Sequence, residues 1–250
     1  SDVCSSDLCI HVNAHEIREI SDVRETSLSD YYAYYFDGAY YMNRIPFNHV
    51  YGFLDWEREK GVYDALLEQK LANAPVYFDV NTGQKISPVL QDGTYMEAGN
   101  VENLKDSIEL LRRYHSVVYS GKKGVSPVDF LMFYTNNFEQ QISSWKDFMK
   151  IWGKIKDITM KIQSVSIHYG LCHMNPSKTS FYFYETEAGL EGVILNLKYA
   201  GAGDMDWDLG IFSAALFYNA EEIFDLVEMY YGESLKEEEL YEAYEKIFLY

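Results

Sequence analysis

The stretch HYGLCHMNPSKTSFYFYETEAGLEGVILNLKYAGAGDMDWDLG, residues 168–210, decides how the rest of the chain is read. It falls into a loop, a pair of strands, a second loop and the start of a buried helix. Its closing run Asp204-x-Asp206-x-Asp208 has the spacing of a calcium loop. That loop needs glycine at its sixth position and glutamate at its twelfth. Leu209 and Ala215 stand there instead, so the calcium reading is rejected.

Two segments, LCHMNPSKTSF and ILNLKYAGAGDMDWDLG, carry a family resemblance in both their letters and their separation. Together they resemble the catalytic core of the choline/ethanolamine kinases and their relatives, the aminoglycoside phosphotransferases. That core has a His-x-Asp-x-x-x-x-Asn loop, an Ile-Asp-Trp-Glu-Tyr-Ala-Gly metal segment and a Trp-Asp-Leu. Position by position, His173 matches the loop histidine. Asn175 stands at the catalytic Asp, Ser180 at the metal-binding Asn and Asn196 at the metal-binding Asp. Tyr199, Ala200, Gly201, Asp204, Trp207, Asp208 and Leu209 all match. The resemblance implies ATP and magnesium as cofactors, a small cationic amino alcohol such as choline as substrate, and Asp208 as a brace beneath the catalytic loop.

The three departures fall on the chemistry. An Asp at position 175 would take the proton of the attacking alcohol, worth on the order of 10²–10⁴-fold in rate. Asn175 can hold an alcohol but cannot accept its proton. The family's carboxylate and amide oxygens at positions 196 and 180 hold the metal that bridges the phosphates. Asn196 and Ser180 offer only neutral oxygens, so magnesium binding is expected to be seriously weakened. The implied function is a choline/ethanolamine kinase-like protein with impaired catalysis, a pseudokinase acting by binding a ligand or a protein partner. Two alternatives stand beside it: an active kinase that recruits Asp204 or Asp206 for metal, and a scaffold with an empty cleft.

Outward from this stretch, 250 residues suffice for one large domain or two lobes. The 39 acidic against 21 basic side chains give −18, which opposes binding to nucleic acid or an anionic membrane and is compatible with a cationic ligand. No run of eighteen apolar residues is present, so no membrane span is expected. Residues 1–8, SDVCSSDL, resemble a translated sequencing adapter and are set apart from the fold. Without Cys4, Cys9 and Cys172 make no disulfide framework, and a cytoplasmic location is expected.

Residues 9–90 are expected to form a nucleotide-binding-type lobe. YYAYYFDGAYYMNRI alternates about Asp37-Gly38, a hairpin signal. Before it, Glu25-Thr26-Ser27-Leu28-Ser29 occupies the place of the family's glycine-rich phosphate loop and contains no glycine. By the resemblance, Arg44 is the basic residue that reaches the phosphates and Glu59 its helix partner. Pro75–Asp79 leads to a turn at Asn81–Gly83 and to KISPVL, which resembles the hinge strand, where Pro88 has no N–H to give an adenine.

Residues 91–250 are expected to form a mainly helical, truncated C-terminal lobe. Val101, Leu104, Ile108 and Leu111 mark a helix ending near LRRYHS, with His115 a capping or half-buried histidine. Further helix is expected within 130–162, from Trp207 to Tyr218 and from Glu221 to Tyr231, the last closed by Gly232. Ser234-x-x-Glu237 is read as the capping box of a last helix. The choline kinases' following helix adds tryptophans to an ammonium cage, and the sequence ends at Tyr250, before that segment. The expected fold is α+β and two-lobed, with an N-terminal antiparallel sheet, one helix and a helical C-terminal lobe.

Overall fold

In the computed structural model the aromatic alternation around Asp37-Gly38 closes as the expected hairpin. The structure describes residues 16–25, 28–50, 52–142, 146–164 and 168–250. Strand β1 (Arg18–Glu25) is followed by β2 (Ser29–Phe36) and β3 (Ala39–Pro46). Asp37 (φ 45°) and Gly38 (φ 83°) both turn left-handed, the conformation whose twist matches a two-residue hairpin. Tyr34 lies opposite Tyr41 and Tyr35 opposite Tyr40, with ring centroids 5.8 and 5.0 Å apart. Such cross-strand ring pairs help set the register.

Helix α1 (Trp56–Leu67) starts where the Asp55 carboxylate accepts the Arg58 N–H at 2.9 Å. Its buried side, Trp56, Glu59, Val62, Tyr63 and Leu66, recurs at helical spacing. Strands β4 (Tyr77–Phe78) and β5 (Lys85–Pro88) flank the Asn81–Gly83 turn and complete a five-stranded antiparallel sheet of order β1-β2-β3-β5-β4. Gly83 is required twice over: its φ is 72°, and a Cβ there would meet the Trp56 ring at 2.3 Å.

A short strand, β6 (Gly93–Tyr95), precedes the helices, because the chain beyond the hinge pairs with the later strands. Helix α2 (Val101–His115) has its expected apolar stripe, with Ile108 and Leu111 buried; Val101, in the first turn, is 60% exposed. Helices α3 (Pro127–Ile142) and α4 (Phe148–Ser164) follow. Strand β7 (Tyr169–Cys172) leads into the 173–180 loop, and β8 (Phe181–Thr186) with β9 (Gly189–Ile194) extends β6 into a three-stranded sheet. Strand β10 (Gly201–Asp204) returns antiparallel to β7. Helices α5 (Met205–Ala215), α6 (Ala220–Tyr231) and α7 (Glu237–Leu249) close the chain. One core joins Ile108 and Leu111 to Phe181, Ile194, Leu209, Phe212, Leu226 and Ile247.

Two expectations on these elements are corrected or left open. The last helix does not start from a Ser234–Glu237 box. Ser234 belongs to a 3-10 turn and donates its hydroxyl back to the Tyr231 carbonyl, so the cap moves to Lys236, whose N–H is accepted by Glu239 at 2.9 Å. Thr26 and Ser27 of the presumed phosphate loop, Cys4, Cys9 and residues 1–8 lie outside the described residues. Among the described residues no helix is long and apolar enough to cross a membrane.

Candidate functional site

The antiparallel pairing of β7 with β10 places the first turn of α5 beneath the loop that begins at His173. Asp208, fully buried, accepts the His173 and Met174 N–H groups at 2.6 and 2.7 Å. These two bonds hold Met174 at φ 69°, a conformation costly for an unbranched side chain unless its surroundings impose it. His115 meets the same carboxylate with Nε2 at 3.0 Å, and its Nδ1 lies 2.5 Å from the Tyr230 hydroxyl. The Trp207 indole N–H donates to the Met174 carbonyl at 2.9 Å. His115 is therefore part of the support and no mere helix cap.

His173 ties the two loops together. Its ring Nε2 donates to the Leu195 carbonyl at 2.8 Å, and its Nδ1 accepts the Asn175 N–H at 3.3 Å, so the neutral tautomer serves both bonds. Burial pushes its pKa below the usual histidine value, against the pull of Asp208. Ser180, also buried, accepts the Ser177 N–H on its hydroxyl at 3.1 Å. The Leu195 N–H reaches the Ser180 carbonyl at 2.9 Å, and the Asn196 amide donates to the Thr179 carbonyl at 3.3 Å. Asn196 is exposed and left-handed (φ 67°), a conformation Asn tolerates well. The structure thus brings His173, Asn175, Ser180, Asn196 and Asp208 to one place.

Asn175 is exposed at the mouth of an apolar pocket walled by Phe130, Ile155, Ile158, Trp207 and Tyr250. Asn196 faces a second cavity, the cleft between the N-terminal sheet and the C-terminal lobe, which Arg44, Glu59, Lys85, Leu90 and Lys198 also line. Arg44 donates to Glu59 at 2.8 Å and to the Gly83 carbonyl at 3.2 and 2.8 Å, and its guanidinium stands 4.8 Å over Trp56. The pairing with Glu59 is the expected one. Lys85, directly opposite Arg44 in the sheet, joins the same Glu59 oxygen at 2.9 Å and the Tyr63 hydroxyl at 2.8 Å. Burial would raise the Glu59 pKa, but the two cations hold it down to about 2. At the hinge, the Pro88 carbonyl accepts the Asn73 amide and the Val89 N–H goes to the Tyr40 carbonyl, both at 2.8 Å.

Solved structures with this arrangement of lobes include choline kinases and antibiotic phosphotransferases. The choline kinase LicA from Streptococcus pneumoniae superposes with a TM-score of 0.74 at 14% identity, over 93% of this chain and 83% of that one. A choline/ethanolamine kinase family protein from Mesorhizobium loti gives 0.62 at 15% identity, over 92% and 76%. Spectinomycin phosphotransferase, in complex with ADP and its antibiotic, gives 0.57 at 14% identity, over 92% and 79%. The chain has the choline kinase and aminoglycoside phosphotransferase fold. No family model matches the sequence, and no curated protein does.

The divalent metal that the kinase-like fold implies does not suit the residues present. The Asn196 amide and the buried Ser180 hydroxyl carry no charge, and magnesium relies on at least one carboxylate. Glu59 is the one carboxylate lining the cleft among the described residues, and its Oε1 is taken by Arg44 and Lys85. Its Oε2 lacks a hydrogen-bond partner, yet two cations on the sister oxygen leave no net negative charge to offer a metal.

The recruitment of Asp204 or Asp206 finds no support in the geometry. Asp204 accepts Lys246 at 2.5 Å and the Tyr250 hydroxyl at 2.8 Å. Asp206 contacts Lys246 and His168, each at 3.0 Å, and accepts the Tyr231 hydroxyl. Burial would raise Asp206, but His168, Tyr231 and Lys246 hold it below its ordinary pKa. Both carboxylates face α7 and His168, and the bond seen from the Asn196 amide goes to Thr179.

Sequence reasoning missed Lys85, Lys198 and Tyr230, and read His115 only as a capping or half-buried histidine. The one available signal was Lys85, a cation opening the strand KISPVL.

Proposed function

We propose that this chain is a choline/ethanolamine kinase-like member of the phosphotransferase superfamily whose phosphotransfer is impaired and whose role is binding or regulatory. One observation carries the reading. Asp208 supports the 173–180 loop through two backbone bonds, while the three positions that would do chemistry above it are Asn175, Ser180 and Asn196. Under this proposal the cleft beside Asn196 takes a nucleotide and the pocket beside Asn175 takes a small amino alcohol. Solved structures of this fold include a LicA complex with AMP and a spectinomycin phosphotransferase complex with ADP. The ring faces of Phe130, Trp207 and Tyr250 in that pocket are the kind that attract an ammonium ion. Residues 9–90 and 91–250 then act as nucleotide-side and acceptor-side lobes.

The test is a phosphotransfer assay with choline and ethanolamine, ATP and magnesium. The wild type is expected at background. The triple variant Asn175→Asp, Ser180→Asn, Asn196→Asp is expected to gain at least about 10²-fold, the value of a positioned base alone. Wild-type turnover near the roughly 1–100 s⁻¹ of ordinary kinases would establish the alternative, an active ATP-dependent kinase. The intact support under the loop is what keeps that alternative in play.

A further inference from the structure

We infer that the Asn73 side-chain amide, in place of the hinge backbone, reads the base of a purine nucleotide, so that the cleft accepts 6-amino and 6-oxo purines alike. The inference rests on the proposed reading of the cleft as a nucleotide site, and it adds the group that selects the base.

The two ends of the cleft differ. Arg44 lies opposite Lys85, and Tyr41 opposite Pro88, in the pairing of β3 with β5. Lys85 and Pro88 are three residues apart, roughly 10 Å along a strand. The Lys85 end is ionic, with Arg44 and Glu59 beside it. The Pro88 end is walled by Met42, Val89, Leu90 and Leu195, apolar surroundings that favour the flat face of a base over water. A nucleotide in this cleft therefore lays its base at Pro88, and Asn73 lines the same cavity.

Asn73 is placed by the backbone before it. The Ile194 N–H donates to the Leu71 carbonyl at 2.8 Å and Ala72 bridges to Ile194, which fixes the segment after α1 against β9. The Asn73 amide then donates to the Pro88 carbonyl at 2.8 Å. A carbonyl only accepts, so it is the nitrogen of the amide that faces Pro88. Pro88 has no N–H, the Val89 N–H is taken by Tyr40, and the Pro88 carbonyl is engaged by Asn73. The second amide hydrogen and the oxygen of Asn73 have no partner among the described residues. They form an adjacent donor and acceptor. Adenine presents an amino donor beside the N1 acceptor, whereas a 6-oxo purine presents an oxygen beside an N1–H donor. The amide edge matches either order once the base shifts or turns over. A bare backbone carbonyl would accept the amino group and would meet the oxygen of a 6-oxo purine with no hydrogen between them.

The experiment is calorimetric titration of the full chain with ADP and IDP, whose bases differ only at position 6 and its neighbouring N1, in one buffer. The wild type is expected to bind the two within about tenfold of each other. Asn73→Ala uncovers the Pro88 carbonyl and should shift the ratio of affinities toward ADP by about tenfold or more, as for a buried oxygen left without a donor. A purely structural bond from Asn73 would instead weaken both nucleotides alike and leave their ratio unmoved. A thermal melt without ligand checks that the variant is folded, and Asn73→Ser, whose shorter side chain also clears the carbonyl, serves if the alanine variant is not. An unmoved ratio in the folded variant overturns the inference and leaves the nucleotide reading standing. So does a wild-type preference well above tenfold for either base. Absence of binding by both nucleotides to the wild type overturns the inference together with the reading on which it rests.

Discussion

The 173–180 loop has two sides that differ in their chemistry. Its underside is ionic and fully committed, with Asp208 holding two backbone N–H groups and His115 bridging on to Tyr230. Its upper side presents Asn175, and the adjoining positions 180 and 196 hold Ser and Asn, so no charge is offered to a reacting group. The difference teaches that support and chemistry are separable. Asp208 satisfies buried donors whether or not a reaction follows, and its loss is paid by folding itself. A carboxylate at position 175 or 196 would stand exposed and contribute nothing comparable to stability.

The sharpest way to break this comparison is to remove the underside. Asp208→Ala strands two buried N–H groups and the His115 ring, and is expected to cost about 4–5 kcal/mol, two charge-assisted bonds' worth, in urea unfolding. A cost below about 1 kcal/mol would show that the loop is held by something else.

The cleft pair comes next. Glu59→Gln leaves Arg44 and Lys85 buried without their counter-charge, and a loss of about 3–4 kcal/mol is expected at neutral pH. The pKa of Glu59 is depressed from 4.5 to about 2, so its stabilisation is complete above pH 4.5 and is lost as pH falls toward 2. The stability gap between wild type and Glu59→Gln should therefore narrow across that interval. A gap that stays constant from pH 6 to pH 2.5 would deny the ion pair its assigned role.

Gly83→Ala probes the turn that seats Arg44. Its positive φ and the clash with Trp56 predict a loss of about 2–3 kcal/mol, read as a lowered melting temperature. At the far end, Asn175→Ala on the exposed upper side is expected to change stability by less than about 0.5 kcal/mol. A larger loss would mean that the reacting face also supports the fold, and the contrast between the two sides would blur.

Much of this was legible because it is local. The hairpin around Asp37-Gly38, the α2 stripe and the two loop segments depend on neighbours a few positions apart, and spacing alone carries such information. The Arg44–Glu59 pair came from the resemblance and was found as expected. What escaped was set by long-range packing. His115 meets Asp208 across 93 positions and Tyr230 across 115, and Lys85 joins Glu59 across 26. The start of α7 was misplaced for a smaller reason: the Ser234 hydroxyl can bond backward to Tyr231 or forward into a helix, and the sequence motif does not say which.

The sequence by itself determined which positions lack a carboxylate, because the identity of a side chain, and hence its charge and its ability to take a proton, is unchanged by folding. Only the tertiary structure decided whether another carboxylate would stand in. Asp204 and Asp206 are near Asn196 along the chain, yet β10 carries them to the Lys246 side of α5, where burial demands that each find a partner. The same folding gathered Arg44 and Lys85 around one buried Glu59. Two cations on one buried carboxylate follow from that packing, in a chain whose overall charge is strongly negative.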